Sequence, residues 1–91
     1  MTITDHCIER YIERVCPNIG FLQAKGELEH AIVRPLFSIK LQYQTIHGCV
    51  NRRGWRFLVM EIKPGVIDTC GPEWFWHVSR KAWKEVKNEA R

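Results

Sequence analysis

The sequence predicts an α+β fold: two N-terminal helices, an antiparallel three- to four-stranded sheet, and a C-terminal basic amphipathic helix. Three observations carry this. Apolar residues recur at helical spacing before Pro35, the period changes to alternation from Phe37, and helical spacing returns after Ser79. With 91 residues there is room for one core, so a single domain over 1–91 is expected.

Thr4 is a good N-cap for the first helix, and Asp5 and Glu9 suit its positive end. Ile8, Tyr11, Ile12 and Val15 form one apolar face, and Pro17 ends the helix near Cys16. A second helix is expected from about Phe21 to Val33, with Leu22, Leu28, Ala31 and Ile32 inward and Pro35 closing it.

Residues 37–43 alternate apolar and polar, as a half-buried strand does. Thr45–Val50 reads as another strand, Asn51–Gly54 as a turn, and Trp55–Ile62 as the strongest strand of the chain. Lys63-Pro64-Gly65 is a tight turn, Val66–Cys70 returns antiparallel, and Gly71-Pro72 is expected to break that strand. In the last helix Ala82, Trp83, Val86 and Ala90 share a face. Of the cluster Trp74, Phe75 and Trp76, at least two rings are expected in the core.

Composition narrows the function classes. An apolar share of 45% argues for a folded chain. The longest uninterrupted apolar run, Phe57-Leu58-Val59-Met60, is far too short for a membrane span, so no membrane partner is expected. The first residues have neither a basic n-region nor an apolar h-region, which reads as cytoplasmic. Cys7, Cys16, Cys49 and Cys70 are then expected as buried free thiols. A zinc set of His47, Cys49, Cys70 and His77 lacks ligand-pair spacing, so neither metal nor cofactor is expected.

Charge is uneven. Residues 1–33 hold three Lys/Arg against five Asp/Glu, whereas residues 34–91 hold eleven against five. Such asymmetry suits a basic side presented to a polyanion or an acidic protein, or else ordinary solubilising charge.

His6, Arg10 and Arg14 stand at i, i+4 and i+8, one polar stripe along the first helix. Like charges in adjacent turns cost roughly 0.2–0.5 kcal/mol, which Glu13 partly offsets and a bound anion would offset further. His6 in the first turn is disfavoured as imidazolium by the helix dipole and so suits a neutral base. A solvated helix face is the competing reading. A second stripe, Arg80, Lys84, Lys87 and Arg91, is widened by Lys81 and can track a phosphate backbone, meet an acidic protein, or simply be solvated. Trp74 and Trp76, with Arg52, Arg53 and Arg56 close in sequence, have the composition of a base-stacking platform or a protein hot spot.

Thr4-x-His6-Cys7-x-x-Arg10-x-x-x-Arg14 resembles the opening helix of small phage, plasmid and bacterial proteins with the pattern Ser/Thr-x-His-Ala-x-x-Arg-x-x-x-Arg. Trp55–Met60 and Gly65–Cys70 look similar to the closing hairpin of that set. The set is related to RelE-like and BrnT-like toxins within the barnase–EndoU–colicin–RelE group of metal-independent ribonucleases. The resemblance spans about residues 2–70; Cys7 stands at the usual alanine, and Asp68 interrupts the last apolar strand. It implies a metal-independent endoribonuclease of toxin or phage type. His6 would be base or acid, Arg10 and Arg14 would hold the phosphate, Arg56 would reach in from the sheet, and Thr69 would bond a phosphate oxygen. His47 is the candidate partner for His6.

Two readings follow. The first is an RNA-binding protein with ribonuclease activity, whose partners are RNA or a ribonucleoprotein and an antitoxin. The second is a non-catalytic phage-type inhibitor that binds a host enzyme or nucleoprotein defence complex through the basic and aromatic surface.

Overall fold

Thr4 turns the chain from a short strand into the first helix. Its backbone is extended and its hydroxyl accepts the Cys7 N–H, satisfying one of the donors a helix start leaves open. A computed structural model describes residues 1–86. In order, it has β1 (Thr2–Ile3), α1 (Asp5–Arg14), α2 (Phe21–Ile32), β2 (Phe37–Lys40), β3 (Thr45–Val50), β4 (Arg56–Lys63), β5 (Val66–Pro72), one 3-10 turn (His77–Ser79) and α3 (Arg80–Glu85).

The five strands form one sheet in the order β1-β5-β4-β3-β2. The α+β class is as expected, but the sheet is mixed rather than purely antiparallel. The first residues add an edge strand parallel to β5, with Thr2 opposite Val66 and Ile3 opposite Ile67. Two residues are too short for periodicity to mark a strand; the Thr2 and Thr4 N–H groups secure it by bonding the Gly65 and Ile67 carbonyls at 2.6 and 3.0 Å.

Strand alternation sends side chains to two apolar layers. On one face Cys49, Phe57, Val59, Ile67 and Cys70 pack under α1 and α2, against Cys7, Ile8, Tyr11, Cys16, Ala24 and Leu28. On the other, Ile46, Leu58 and Met60 pack against Trp83 of α3, flanked by Phe37, Ile39 and Trp76. A strand buried on both sides reads as an unbroken apolar run, which is why Phe57–Met60 carries no alternation.

Several boundaries differ from expectation. The strand expected over 37–43 stops at Lys40, because the Leu41 N–H bonds the Gln44 carbonyl and turns the chain there, leaving Tyr43 80% exposed. Leu22 is likewise 80% exposed, and Ala24 takes the inward position in α2. Gly71 and Pro72 do not break β5. Gly71 is opposite Leu58 and Pro72 opposite Phe57 in the ladder. Pro72 is the strand's last residue, where a missing N–H costs least. Only Trp76 of the aromatic cluster packs into a core; Phe75 lies across Gly71 at the surface and Trp74 is exposed. Ala90 lies outside the described residues.

Candidate nucleic-acid interface

The α1 stripe forms as spaced, with its cations already engaged. Glu13 Oε1 lies 3.4 Å from Arg10 Nη1 and 3.6 Å from Arg14 Nε, so one carboxylate serves both guanidiniums. Arg14 Nη1 also donates to the Cys70 carbonyl at 3.2 Å, and its guanidinium lies 4.7 Å from the centre of the Phe75 ring. His6 is exposed in the first turn.

Arg56 and Thr69 fall on the opposite face of the sheet from α1. Arg56 alternates with the inward Leu58 and Met60 of the α3 layer, and its guanidinium stacks 5.2 Å from the Trp83 ring. Thr69 is opposite Met60 in the ladder. For Thr69 the reason is a bulge: Met60 pairs with Thr69 but Glu61 pairs with Ile67, so Asp68 has no partner in the register. One extra residue exchanges the faces of all that follow it. It returns Cys70 to the helix layer with Ile67 and gives Thr69 to the α3 layer. The polar interruption at Asp68 was the sequence trace of this bulge.

The other predicted binding residues divide by whether an acid holds them. Asn51 Oδ1 accepts the Arg53 and Trp55 N–H groups at 3.0 and 2.9 Å, shaping the β3–β4 turn. There Arg53 bonds Cys16 Sγ, lies 3.7 Å from Glu27 Oε2, and stacks on Trp55 at 5.4 Å. Both arginines are exposed, but Arg53 is held by Glu27, whereas Arg52 has no ion pair among the described residues.

On α3 the exposed Arg80, Lys81 and Lys84 line, with His77 and Val78, a groove of about 530 Å³. Among the described residues, the ion pairs are those of Arg10, Arg14, His47 and Arg53. Arg52, Arg56, Arg80, Lys81 and Lys84 are outside that set. Trp83 anchors the helix, its indole N–H donating to the Glu73 carbonyl at 2.7 Å. Trp74, next to Glu73, is 73% exposed. Trp76 is half-buried and packs against the cluster of Ile46, Leu58, Met60 and Trp83. Lys87 and Arg91 lie outside the described residues.

The four cysteines are free and buried, as expected. Burial pushes the Cys49 thiol up to about 12, and a hydrogen bond with Cys7, then burial, pushes Cys70 up strongly. Among the described residues, no three His, Cys, Asp or Glu side chains converge as metal ligands do. No helix is long and apolar enough to cross a membrane among them.

Sequence reasoning missed two features. Trp55, expected to begin the strand, lies just before β4 as an exposed ring stacked with Arg53. His47 has its partners in Ser38 and Glu61, not in His6. Of these only the Glu61 contact was recoverable: pairing β3 with β4 about the Asn51–Gly54 turn puts Thr45 opposite Glu61 and His47 one diagonal away. Compared with known families, curated proteins and solved structures, the chain shows no match to any of them.

Proposed function

We propose that the protein binds single-stranded RNA through the face of the sheet that carries α3. The observation behind this reading is the set of cations there without an acidic partner among the described residues: the half-buried Arg56 and the exposed Arg80, Lys81 and Lys84, with the exposed Trp74 following Glu73, whose carbonyl holds Trp83. Exposed cations placed together repel one another, and a polyanion relieves that cost. Phosphates would lie along the α3 groove while a base stacks on Trp74, a contact worth about 1–3 kcal/mol by alanine substitution. RNA is the preferred polyanion because the opening helix resembles the RelE-like group.

Binding without cleavage is the form that this arrangement favours. The sheet stands between the α1 stripe and the pair Arg56–Thr69, and Glu13 already serves both helix arginines. A cytoplasmic, reducing setting accompanies the proposal, since four buried free thiols suit it.

Fluorescence anisotropy with a labelled single-stranded RNA tests the reading. With three or four phosphates engaged, log K should fall against log salt with a slope of about −2 to −3. Reversing charge at Lys81 and Lys84 should remove most binding, while Arg10→Ala should leave it within about twofold. Equal loss from both changes, or no salt dependence, rejects the α3 face. Retention of a protein from host lysate after nuclease treatment, without RNA binding, would instead support the inhibitor reading, for which Trp74 and its cations have hot-spot composition.

A further inference from the structure

Three neighbouring strands each place one polar side chain on the helix-covered face, at the end of the sheet away from the β3–β4 turn. Ser38 of β2 is directly opposite His47 of β3, and Glu61 of β4 is opposite Thr45, one diagonal from His47. Ser38 Oγ lies 2.6 Å from His47 Nδ1, and His47 Nε2 lies 2.6 Å from Glu61 Oε1. The other carboxylate oxygen accepts the Gly65 N–H at 2.8 Å, so the β4–β5 turn fixes Glu61.

We propose that Ser38 is the nucleophile, His47 the base and Glu61 the orienting carboxylate of an acyl-transfer site for small anionic carboxylic esters. The hydrogen-bond directions follow from the donor inventory. The Gly65 N–H and His47 hold the Glu61 carboxyl below its ordinary range, so at neutral pH it only accepts. In its neutral form His47 therefore carries its proton on Nε2, which leaves the Nδ1 lone pair to receive the Ser38 hydroxyl. This is the nucleophile–base–orienter chain, recognised by geometry and roles rather than by order in the sequence. The imidazole is used in the reverse sense to the familiar serine hydrolases, Nδ1 toward the serine.

The surroundings suit the role. Ser38 is exposed, while the His47 and Glu61 side chains are 16% and 17% exposed. β2 is an edge strand. The alternation set at Leu41 and Gln44 makes Ser38–His47 a non-hydrogen-bonded pair, directing the Ser38 N–H to the open edge, where it can donate to an oxyanion. A cavity of about 450 Å³ shares Glu61 with the relay and is lined also by Lys40, Tyr43, Thr45 and Lys63. Its two ammonium groups select an ester bearing negative charge.

In the reaction Ser38 Oγ attacks the ester carbonyl and its proton passes to His47 Nδ1. The alkoxide leaves with that proton, giving acyl-Ser38 and free alcohol. Water then attacks the acyl carbon, giving its proton to His47, which returns it to Ser38 Oγ as the carboxylic acid departs. The balance is ester plus water to acid plus alcohol.

A fluorophosphonate probe tests the nucleophile in one turnover, forming the Oγ–P bond as fluoride leaves and the proton goes to solvent through His47. Intact-mass and peptide analysis should find one adduct, on Ser38, in the folded protein and none after denaturation. Ser38→Ala should give no adduct, and both His47→Ala and the more conservative His47→Asn should slow labelling roughly a hundredfold or more. p-Nitrophenyl hydrogen succinate should be cleaved faster than p-nitrophenyl acetate, and Lys40→Ala with Lys63→Ala should abolish that preference. No Ser38 adduct on the folded protein overturns the proposal. So does labelling at an unchanged rate in a His47 variant whose circular dichroism matches wild type. Equal rates on the two esters overturn the assignment of anionic substrates.

Discussion

The phenol oxygen of Tyr11 receives the side-chain amide of Asn51 at 3.1 Å, although 40 positions separate the two residues. The same phenol donates to Glu27 Oε1 at 2.7 Å, so one buried hydroxyl joins α1, α2 and the β3–β4 turn. Burial first, then the bond to Glu27, raises the phenol far above its ordinary range and keeps it a donor. Tyr11→Phe keeps the edge-on packing against Phe57 but leaves the Asn51 amide without an acceptor. A loss of about 1–3 kcal/mol is expected from urea unfolding. Asn51→Ala should cost a similar amount, and the double variant should cost less than the two together, because they share one bond. Strict additivity would show that the bond does not couple the layers.

Two glycines should respond to alanine with opposite sign. A methyl group at Gly48 would overlap the Phe37 ring, which stands edge-on to Trp83 at 4.7 Å. Gly48→Ala should therefore destabilise by about 1–3 kcal/mol and shift Trp83 emission as α3 loosens. RNA affinity should fall with it, because Trp83 is what holds the basic helix to the sheet. Gly26 lies in α2 with nothing within 4 Å of an added methyl, so Gly26→Ala should stabilise by about 0.4–1 kcal/mol. A neutral result at Gly48 would mean that Phe37 can repack freely.

Thiol reactivity gives a third check. Cys7, Cys16, Cys49 and Cys70 have no accessible surface, and Cys49 and Cys70 are both pushed toward the protonated, unreactive form. Ellman's reagent should find almost no thiol in the native protein and all four in urea. Fast native labelling would expose opening of the α1–β5 contact, since Cys70 Sγ lies against the Cys7 carbonyl there.

The helices were legible because their signals are local: Thr4 caps, Pro17 stops, and Ile8 and Tyr11 recur on one face. The layers were only half legible. Phe57–Met60 announced burial but not which helix covered which side, since alternation within an apolar run carries no label. The expected convergence of His6, Arg10, Arg14, Arg56 and Thr69 failed for two reasons: Arg56 alternates with Phe57 and Val59 of the helix layer and so faces α3, and the unpaired Asp68 sends Thr69 to that same side. Ser38, His47 and Glu61 were hidden for a different reason. They come from three strands, and only the strand register brings them together.

Glu61 supplies the pH prediction. Its carboxyl is held below the ordinary range first by the Gly65 N–H and then by His47, against a smaller opposing effect of burial. A group depressed by folding adds stability above its unfolded pKa of about 4.3, and loses it as pH falls through the lower folded value. Besides His47, the charged groups beside it are Lys40 and Lys63, which line the same cavity and favour the same ionised form. Wild type should therefore lose stability between neutral pH and the acid side of the ordinary carboxylate range more steeply than Glu61→Gln. The difference in urea midpoint between the two proteins should be largest near neutrality and shrink in acid. If the two pH profiles run parallel, Glu61 is not held by Gly65 and His47 in solution, and the carboxylate needed to orient His47 is missing with it.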